Sequence, residues 1–182
     1  MRILAALTAA AAATAIVATA SPANANLLFY GADDLNYDTA HLRWEFSTPG
    51  GAYSGGIKQT ADPVHRQLGW LKESAAGSTG WGSLGRTAKV APPTPTGTKC
   101  TLRLSLRTET VGRTSTANVE VINPTTWTYL ALNKVTVGNN WADVQTTDWY
   151  NGPETVYFRV SLFGDSTTKV LLIDDLYWKC AS

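Results

Sequence analysis

The closing stretch VYFRVSLFGDSTTKVLLIDDLYWKC, residues 156–180, predicts two buried β-strands joined by a turn. Apolar residues occupy every second position from Val156 to Leu162, which is the period of a strand with one face on a core. Residues 164–166 are Gly-Asp-Ser, a turn signal, and the apolar run over 169–179 is the last strand. The pattern favours an all-β fold.

Shorter runs of the same kind fill the rest of the chain. The clearest cover residues 100–107, 117–121, 128–137 and 141–147, and weaker ones cover 26–30, 42–46 and 86–91. Residues 65–74 fit either a strand or a short helix, and glycine pairs at 50–51 and 55–56 indicate loops. Because turn signals recur and no segment keeps helical periodicity, we expect a β-sandwich or jelly roll of two antiparallel sheets.

The first 25 residues are typical of a secretory signal peptide. A short basic start at Met1–Arg2 precedes an alanine-rich apolar run, and Ala23-Asn24-Ala25 is an A-x-A cleavage pattern. A membrane anchor is the alternative, but threonines interrupt the run and no basic cluster follows it. We therefore expect a secreted, monomeric protein without a membrane span, whose single domain covers residues 26–182.

The charges and the cysteines narrow the class further. The chain has 15 basic and 14 acidic residues, so loss of Arg2 with the signal leaves 14 of each. A neutral chain has no electrostatic attraction to nucleic acid or to an anionic membrane. Cys100 and Cys180, in a secreted protein, predict a disulfide that closes a loop of about 80 residues, and two separate buried thiols are the alternative.

The second half of the chain also carries a family likeness. The stretch TGTKCTLRLSLRT (96–108), the run from Trp127 to Trp149 and the closing pair of strands resemble the calcium-containing β-jelly-roll carbohydrate-binding modules of the galactose-binding-like superfamily. The resemblance covers roughly residues 95–180 and concerns strands and turns. It implies a module that binds polysaccharide on tryptophan rings and catalyses no reaction.

Two aspartates, Asp174 and Asp175, stand side by side in the last predicted strand, so one carboxylate faces the core side. The resemblance implies that Asp174 ligates a structural Ca²⁺, which would neutralise a buried carboxylate. The glutamate that the family usually places after the Phe of its first strand is missing after Phe29; Asp33 is the candidate substitute, and an empty calcium site is the other possibility. The alternative is a β-bulge at Asp174, whose carboxylate accepts backbone or arginine hydrogen bonds.

A sugar ring has an apolar face and a rim of hydroxyls, so its binding site needs flat aromatic side chains and planar polar groups. Most of the seven Trp and seven Tyr are expected in the core, Trp141 and Trp178 among them. The candidate ligand-binding residues are Trp44, Trp70, Trp81, Trp149, Tyr150 and Arg107. Arg103 and Arg159 also lie on the polar side of predicted strands.

The sequence carries no motif with a catalytic mechanism. Its two histidines, His41 and His65, lack a metal-ligand spacing, and a G-x-S-x-G elbow is missing. We therefore expect a secreted, non-catalytic polysaccharide-binding module. The alternative is a protein-interaction or cell-envelope module that presents loops 50–56 and 77–85. A jelly-roll polysaccharide lyase or hydrolase that uses one histidine with Tyr and Arg is less favoured.

Overall fold

The structure is a computed structural model that describes residues 27–33, 35, 43–50, 52–77, 79–90, 97–150, 153–165 and 167–181. The predicted signal peptide, His41 and the proline-rich segment 92–95 lie outside these residues. Every regular element within them is a β-strand, and no helix long and apolar enough to cross a membrane occurs among them.

The strands follow one another at short intervals along the chain. They are β1 (Leu27–Asp33), β2 (Glu45–Ser47), β3 (Tyr53–Gln59), β4 (Gln67–Glu73), β5 (Trp81–Lys89), β6 (Lys99–Thr108), β7 (Ser115–Ile122), β8 (Tyr129–Val137), β9 (Ala142–Gln145), β10 (Trp149–Tyr150), β11 (Thr155–Phe163) and β12 (Lys169–Ala181).

These strands form two antiparallel sheets. One has seven strands in the order β10-β6-β12-β4-β3, with β1 paired to β12 and β9 to β6. The other has five strands in the order β2-β5-β11-β7-β8. The two sheets pack face to face, which confirms the predicted β-sandwich of the jelly-roll kind.

Alternation in the sequence places one row of each strand in the core. The inward rows of the seven-stranded sheet and of the five-stranded sheet supply one hydrophobic cluster, with Leu104, Leu106, Leu171 and Ile173 from the first and Val119, Val121, Phe158 and Val160 from the second. Trp178 lies in this cluster as expected, with its ring centre 5.0 Å from that of Phe158. The outward-facing rows of the two sheets are therefore the surfaces that can contact a ligand.

The predicted disulfide is confirmed. Cys100 on β6 and Cys180 on β12 are direct partners across two antiparallel strands, with their Cα atoms 4.1 Å apart. The bond links residues 80 positions apart, so it ties the last strand to the middle of the chain.

Two sequence expectations about the first half are wrong. The glycine pair 55–56 lies inside β3 rather than in a loop. Position 55 needs a glycine because the neighbouring side chains leave no room for a Cβ there. A Cβ on Gly55 would stand 2.6 Å from the Phe46 ring and 2.7 Å from Leu71. The segments 50–56 and 77–85 are predicted from the sequence to be loops that a protein partner could bind. Strand β3 begins at Tyr53 and β5 at Trp81, so each segment contains part of a strand. The ambiguous run 65–74 contributes strand β4.

Candidate functional site

The outer side of the seven-stranded sheet carries a line of three contrasting side chains. Trp70 on β4 and Arg107 on β6 both pair with Leu172 on β12, which lies between them. Opposed residues of antiparallel neighbours point to the same side of a sheet. Since Leu171 and Ile173, one position away, lie in the core, the Trp70–Leu172–Arg107 line points outward. We name this surface, together with His65 and Trp141, the seven-strand face.

A cavity of about 270 Å³ lies on the seven-strand face. Leu172, fully buried, and Leu68 belong to its apolar lining, while Lys58 and Glu109 add an ion pair with N–O distance 2.8 Å. Its lining therefore combines apolar and charged groups.

Trp141 lines the cavity and is held by two polar neighbours. The guanidinium carbon of Arg107 lies 5.0 Å from its ring centre, within the range of a cation–π contact. The imidazole of His65 lies 5.1 Å away at an interplanar angle of 32°. Trp141 is partly exposed, so its expected place in the core is wrong. It lies between the Asn139-Asn140 turn and the start of β9 at Ala142, outside the strand alternation predicted for it from the sequence.

Asp174 lies beside this cavity at an irregular point of β12. The pairing register with β6 shifts between Asp174 and Tyr177, and Asp175 takes a positive φ of 51°. The shift lets both neighbouring carboxylates avoid the core, which is the β-bulge that the sequence left open. Asp174 is nevertheless fully buried; its Oδ2 contacts Nδ1 of His65 and its Oδ1 accepts the Asp175 N–H at 2.8 Å. Burial raises the pKa of Asp174 to about 6.

The donor atoms around Asp174 fit calcium poorly. His65, Asp174 and Asp175 each offer one ligand atom, and these atoms lie within 4.8 Å of one another. Ca²⁺ prefers six to eight oxygen ligands, whereas an imidazole nitrogen suits softer metals. Asp33, the expected second ligand, does not belong to this group. Calcium at Asp174 therefore stays a prediction, with an unfavourable donor set.

Asp33 has a different set of neighbours. Its carboxylate contacts the guanidinium groups of Arg86 and Arg43 and accepts the indole N–H of Trp44 at 3.2 Å. The backbone N–H of Leu35 donates to the same carboxylate at 3.1 Å. Two positive groups already neutralise this buried acid, and a divalent cation there would be repelled by both.

Two of the candidate tryptophans are core residues, which corrects their assignment as sugar platforms. Trp44 is 6% exposed, because its ring turns inward to reach Asp33. Trp149 is 2% exposed, because it pairs with Cys100 on the inward row of β6. Neither ring presents a face to a ligand.

The remaining candidates are divided between surfaces. Trp70 and Arg107 lie on either side of Leu172 on the seven-strand face, and Tyr150, 56% exposed, lies on the edge strand β10 of the same sheet. Trp81 lies on the other sheet, opposite Phe163. Sequence reasoning missed His65 and Trp141 as site residues, because periodicity places a residue on a strand and does not show which strands become neighbours.

No protein-family model and no curated protein sequence matches the chain. Solved structures match its fold. The fold is that of jelly-roll carbohydrate-binding modules. The chain is similar to a family 61 module in complex with β-1,4-galactotriose, at 12% identity and a TM-score of 0.51, over 74% of this chain and 86% of that one. It is similar to the family 11 module from Clostridium thermocellum in complex with a β-1,3-1,4-mixed-linked tetrasaccharide, at 8% identity and a TM-score of 0.54, over 84% and 96%.

The likeness extends to a part of an enzyme. The chain is similar to an arabinose-bound α-L-arabinofuranosidase, at 13% identity and a TM-score of 0.57, over 86% of this chain and 27% of the enzyme. It spans only about a quarter of that enzyme. At these identities the comparisons show the β-sandwich fold of carbohydrate-binding modules. The ligand has to be inferred from the surface residues of this chain.

Proposed function

We propose that this protein is a secreted, non-catalytic module that binds a neutral polysaccharide chain on its seven-strand face. The Trp70–Leu172–Arg107 line, with Trp141 over Arg107, is the observation that carries the proposal. Indole rings stack on the apolar face of a sugar, and a guanidinium group donates hydrogen bonds to the hydroxyls at its rim. That the similar modules of family 61 and family 11 were solved with bound oligosaccharides supports it.

The acids near the cavity support binding rather than cleavage. A glycosidase needs two carboxyl groups that reach the scissile bond, about 5 to 10 Å apart. Asp174 is fully buried and contacts His65, so it cannot touch a substrate. Asp175 is exposed, but it accepts a hydrogen bond from Ser105 Oγ at 3.2 Å on the bulge. Of the two acids that line the cavity itself, Glu109 is paired with Lys58 and Asp62 accepts backbone N–H groups.

The test is depletion of the mature protein from solution by insoluble cellulose, xylan, mixed-linked β-glucan, galactan, chitin and peptidoglycan. We expect retention on at least one of them. Trp141→Ala should lower the affinity for the glycan that retains the protein by about tenfold or more. The reason is that stacking one ring of a ligand on an aromatic side chain contributes about 1–3 kcal/mol. Lys89→Ala, an exposed change on the other sheet, is the control and should bind normally.

Circular dichroism and the urea midpoint must show that the Trp141→Ala protein is folded. Full retention of Trp141→Ala together with Arg107→Ala would place the ligand elsewhere. Absence of retention on every glycan would reject carbohydrate binding and favour a protein partner.

A further inference from the structure

The second sheet exposes aromatic side chains that the proposed site does not use. Among the large apolar residues with high exposure, Trp127 is 63% exposed, Tyr129 55% and Leu132 38%. Tyr129 and Leu132 lie on β8, and Trp127 lies in the turn that leads into it. An isolated exposed apolar residue is ordinary, but neighbouring ones indicate an interaction surface.

These rings border a polar centre on the outer side of the five-stranded sheet. Arg159 pairs with Glu120, and Ser161 pairs with Asn118, across β11 and β7. Val160, between Arg159 and Ser161 on β11, lies in the core, so these four side chains point outward. We name this surface, with Trp81, Trp127, Tyr129 and Tyr157, the five-strand face.

Arg159 is fixed in the middle of the five-strand face. Its Nε donates to the buried carboxylate of Glu120, and its Nη2 donates to the Tyr129 hydroxyl at 3.3 Å. Its guanidinium carbon lies 5.4 Å from the centre of the Trp81 ring. One planar donor group therefore connects two aromatic rings, and Glu120 neutralises its charge.

Trp127 is also held in place. Its backbone N–H donates to the Asn123 carbonyl at 2.8 Å, and the Asn123 N–H donates to the Thr128 carbonyl at 2.9 Å, so the turn is closed from both ends. Its ring meets Tyr157 edge-on at 5.7 Å. A Cβ at position 85 would stand 2.4 Å from the Tyr157 hydroxyl oxygen. Because Gly85 has no Cβ, the Tyr157 side chain has room to pack against the sheet there. An exposed ring held this way loses little entropy when it binds a ligand.

A cavity of about 450 Å³ adjoins the polar centre and is lined in part by Thr116, Asn118, Lys134 and Phe163. Asn118 Nδ2 donates to Glu120 at 3.3 Å, while its Oδ1 is buried and has no hydrogen-bond partner among the residues that the structure describes. An unsatisfied buried acceptor costs about 1–3 kcal/mol. A hydroxyl donor that enters the cavity would recover this loss.

We propose that the five-strand face is a second carbohydrate-binding surface, so that one chain binds two polysaccharide strands on opposite sides of the sandwich. The proposal rests on the proposed function. A neutral polyhydroxylated ligand matches this face because the guanidinium group of Arg159 is paired with Glu120, and because the aromatic rings flank hydroxyl, amide and guanidinium groups, with the Lys134 ammonium at the cavity. A protein interface has the opposite arrangement, an apolar centre within a polar rim.

The experiment uses the soluble form of the glycan that the depletion assay identifies. Titration calorimetry with an oligosaccharide should give two sites per chain for the wild type. Trp127→Ala and Trp141→Ala should each leave one site, and the double variant none. With the long soluble polysaccharide the wild type should cross-link chains and raise turbidity, whereas each single variant should not. On the insoluble glycan each single loss should weaken retention about a hundredfold or more, because two linked contacts act together.

Trp127→Phe keeps a ring on the same turn and should retain the second site, which separates the loss of the ring from a change in the turn. One site in the wild type, abolished by Trp141→Ala and untouched by Trp127→Ala, would overturn the second surface and leave the proposed function standing. Two sites in the Trp127→Ala protein would also overturn it. No binding by the wild type would remove both proposals. A protein partner lost with Trp127→Ala while glycan binding keeps a single site would reassign this face.

Discussion

The guanidinium carbon of Arg107 lies 5.0 Å from the ring centre of Trp141, although Arg107 belongs to β6 and Trp141 lies in the connection just before β9. Arg107 shares its outward line with Leu172 and Trp70, so the pair stands over the apolar part of the cavity. A planar cation stacked on a ring is held in one orientation, and it can donate hydrogen bonds from its edge while the ring stays available for stacking.

This relationship predicts that Arg107→Ala weakens glycan binding more than Arg107→Lys. Loss of the stacked cation removes about 1–2 kcal/mol, or roughly 5- to 30-fold in affinity, while lysine keeps the charge and loses the planar fork. Titration calorimetry of both variants measures the order. Equal affinities for wild type, Lys and Ala would show that Arg107 supports Trp141 without touching the ligand.

The strands could be predicted from the sequence, and the surfaces could not. Alternation from Val156 to Leu162 and the cysteine pair led directly to the sheets and the disulfide, because both depend on local period or on a single covalent bond. The Asp33–Arg86 contact joins residues 53 positions apart, so Trp44 could not be recognised as its buried neighbour. Trp141 was misplaced for the same reason: its partners His65 and Arg107 come from distant parts of the chain.

The buried aspartate gives a prediction about stability. Trp44→Phe keeps most of the ring volume and removes the indole N–H that donates to Asp33 at 3.2 Å. We expect the free energy of unfolding to fall by about 1–2 kcal/mol, at the low end for a buried charged acceptor, because Arg86, Arg43 and the Leu35 N–H still contact it. Urea unfolding measures the loss, and glycan affinity of the folded protein should not change. Weaker binding without a loss of stability would return Trp44 to the ligand site.

Removal of the acid itself should cost more. Asp33→Ala leaves the partly buried guanidinium group of Arg86 without its carboxylate partner. Breaking a buried ion pair from one side costs about 3–5 kcal/mol, so the variant should unfold at markedly lower urea concentration. Asp143→Ala, which removes a largely exposed acid paired to Arg103 at 3.4 Å, is the control and should change stability by less than about 1 kcal/mol. Similar losses of unfolding free energy in the two variants would show that water reaches the Asp33 cluster and screens its charges.

The disulfide gives a third test of stability. Changing both Cys100 and Cys180 to Ala removes the link between β6 and β12 while leaving the strands paired along the rest of their length. Loss of a native disulfide typically costs about 2–5 kcal/mol. Chemical unfolding of the double variant, compared with the wild type in reducing and in non-reducing buffer, should show the same loss by either route. A wild type whose stability is the same with and without reductant would indicate that the bond is not formed in the purified protein.

Asp174 predicts how stability depends on pH. Burial raises its pKa in the folded protein to about 6, whereas in the unfolded chain it is about 3.9. Between these values the folded protein holds the proton more tightly, so the contribution of this group to stability is present at pH 4 and is lost as the pH rises through 6. Asp174→Asn cannot lose a proton there. Relative to the wild type the variant should therefore gain stability from pH 4 to pH 7, by at most about 3 kcal/mol for a shift of two units.

Urea unfolding of both proteins in EDTA at half-unit pH intervals gives this difference without a contribution from divalent ions. Asp62→Asn is a control of opposite sign on the neighbouring loop. Backbone N–H groups of Val64 and His65 donate to Asp62 and lower its pKa, so its contribution is present above pH 4, is lost as the pH falls, and stays level between pH 5 and 7. A level difference between Asp174→Asn and the wild type across pH 4 to 7 would contradict the raised pKa of Asp174 in the folded protein.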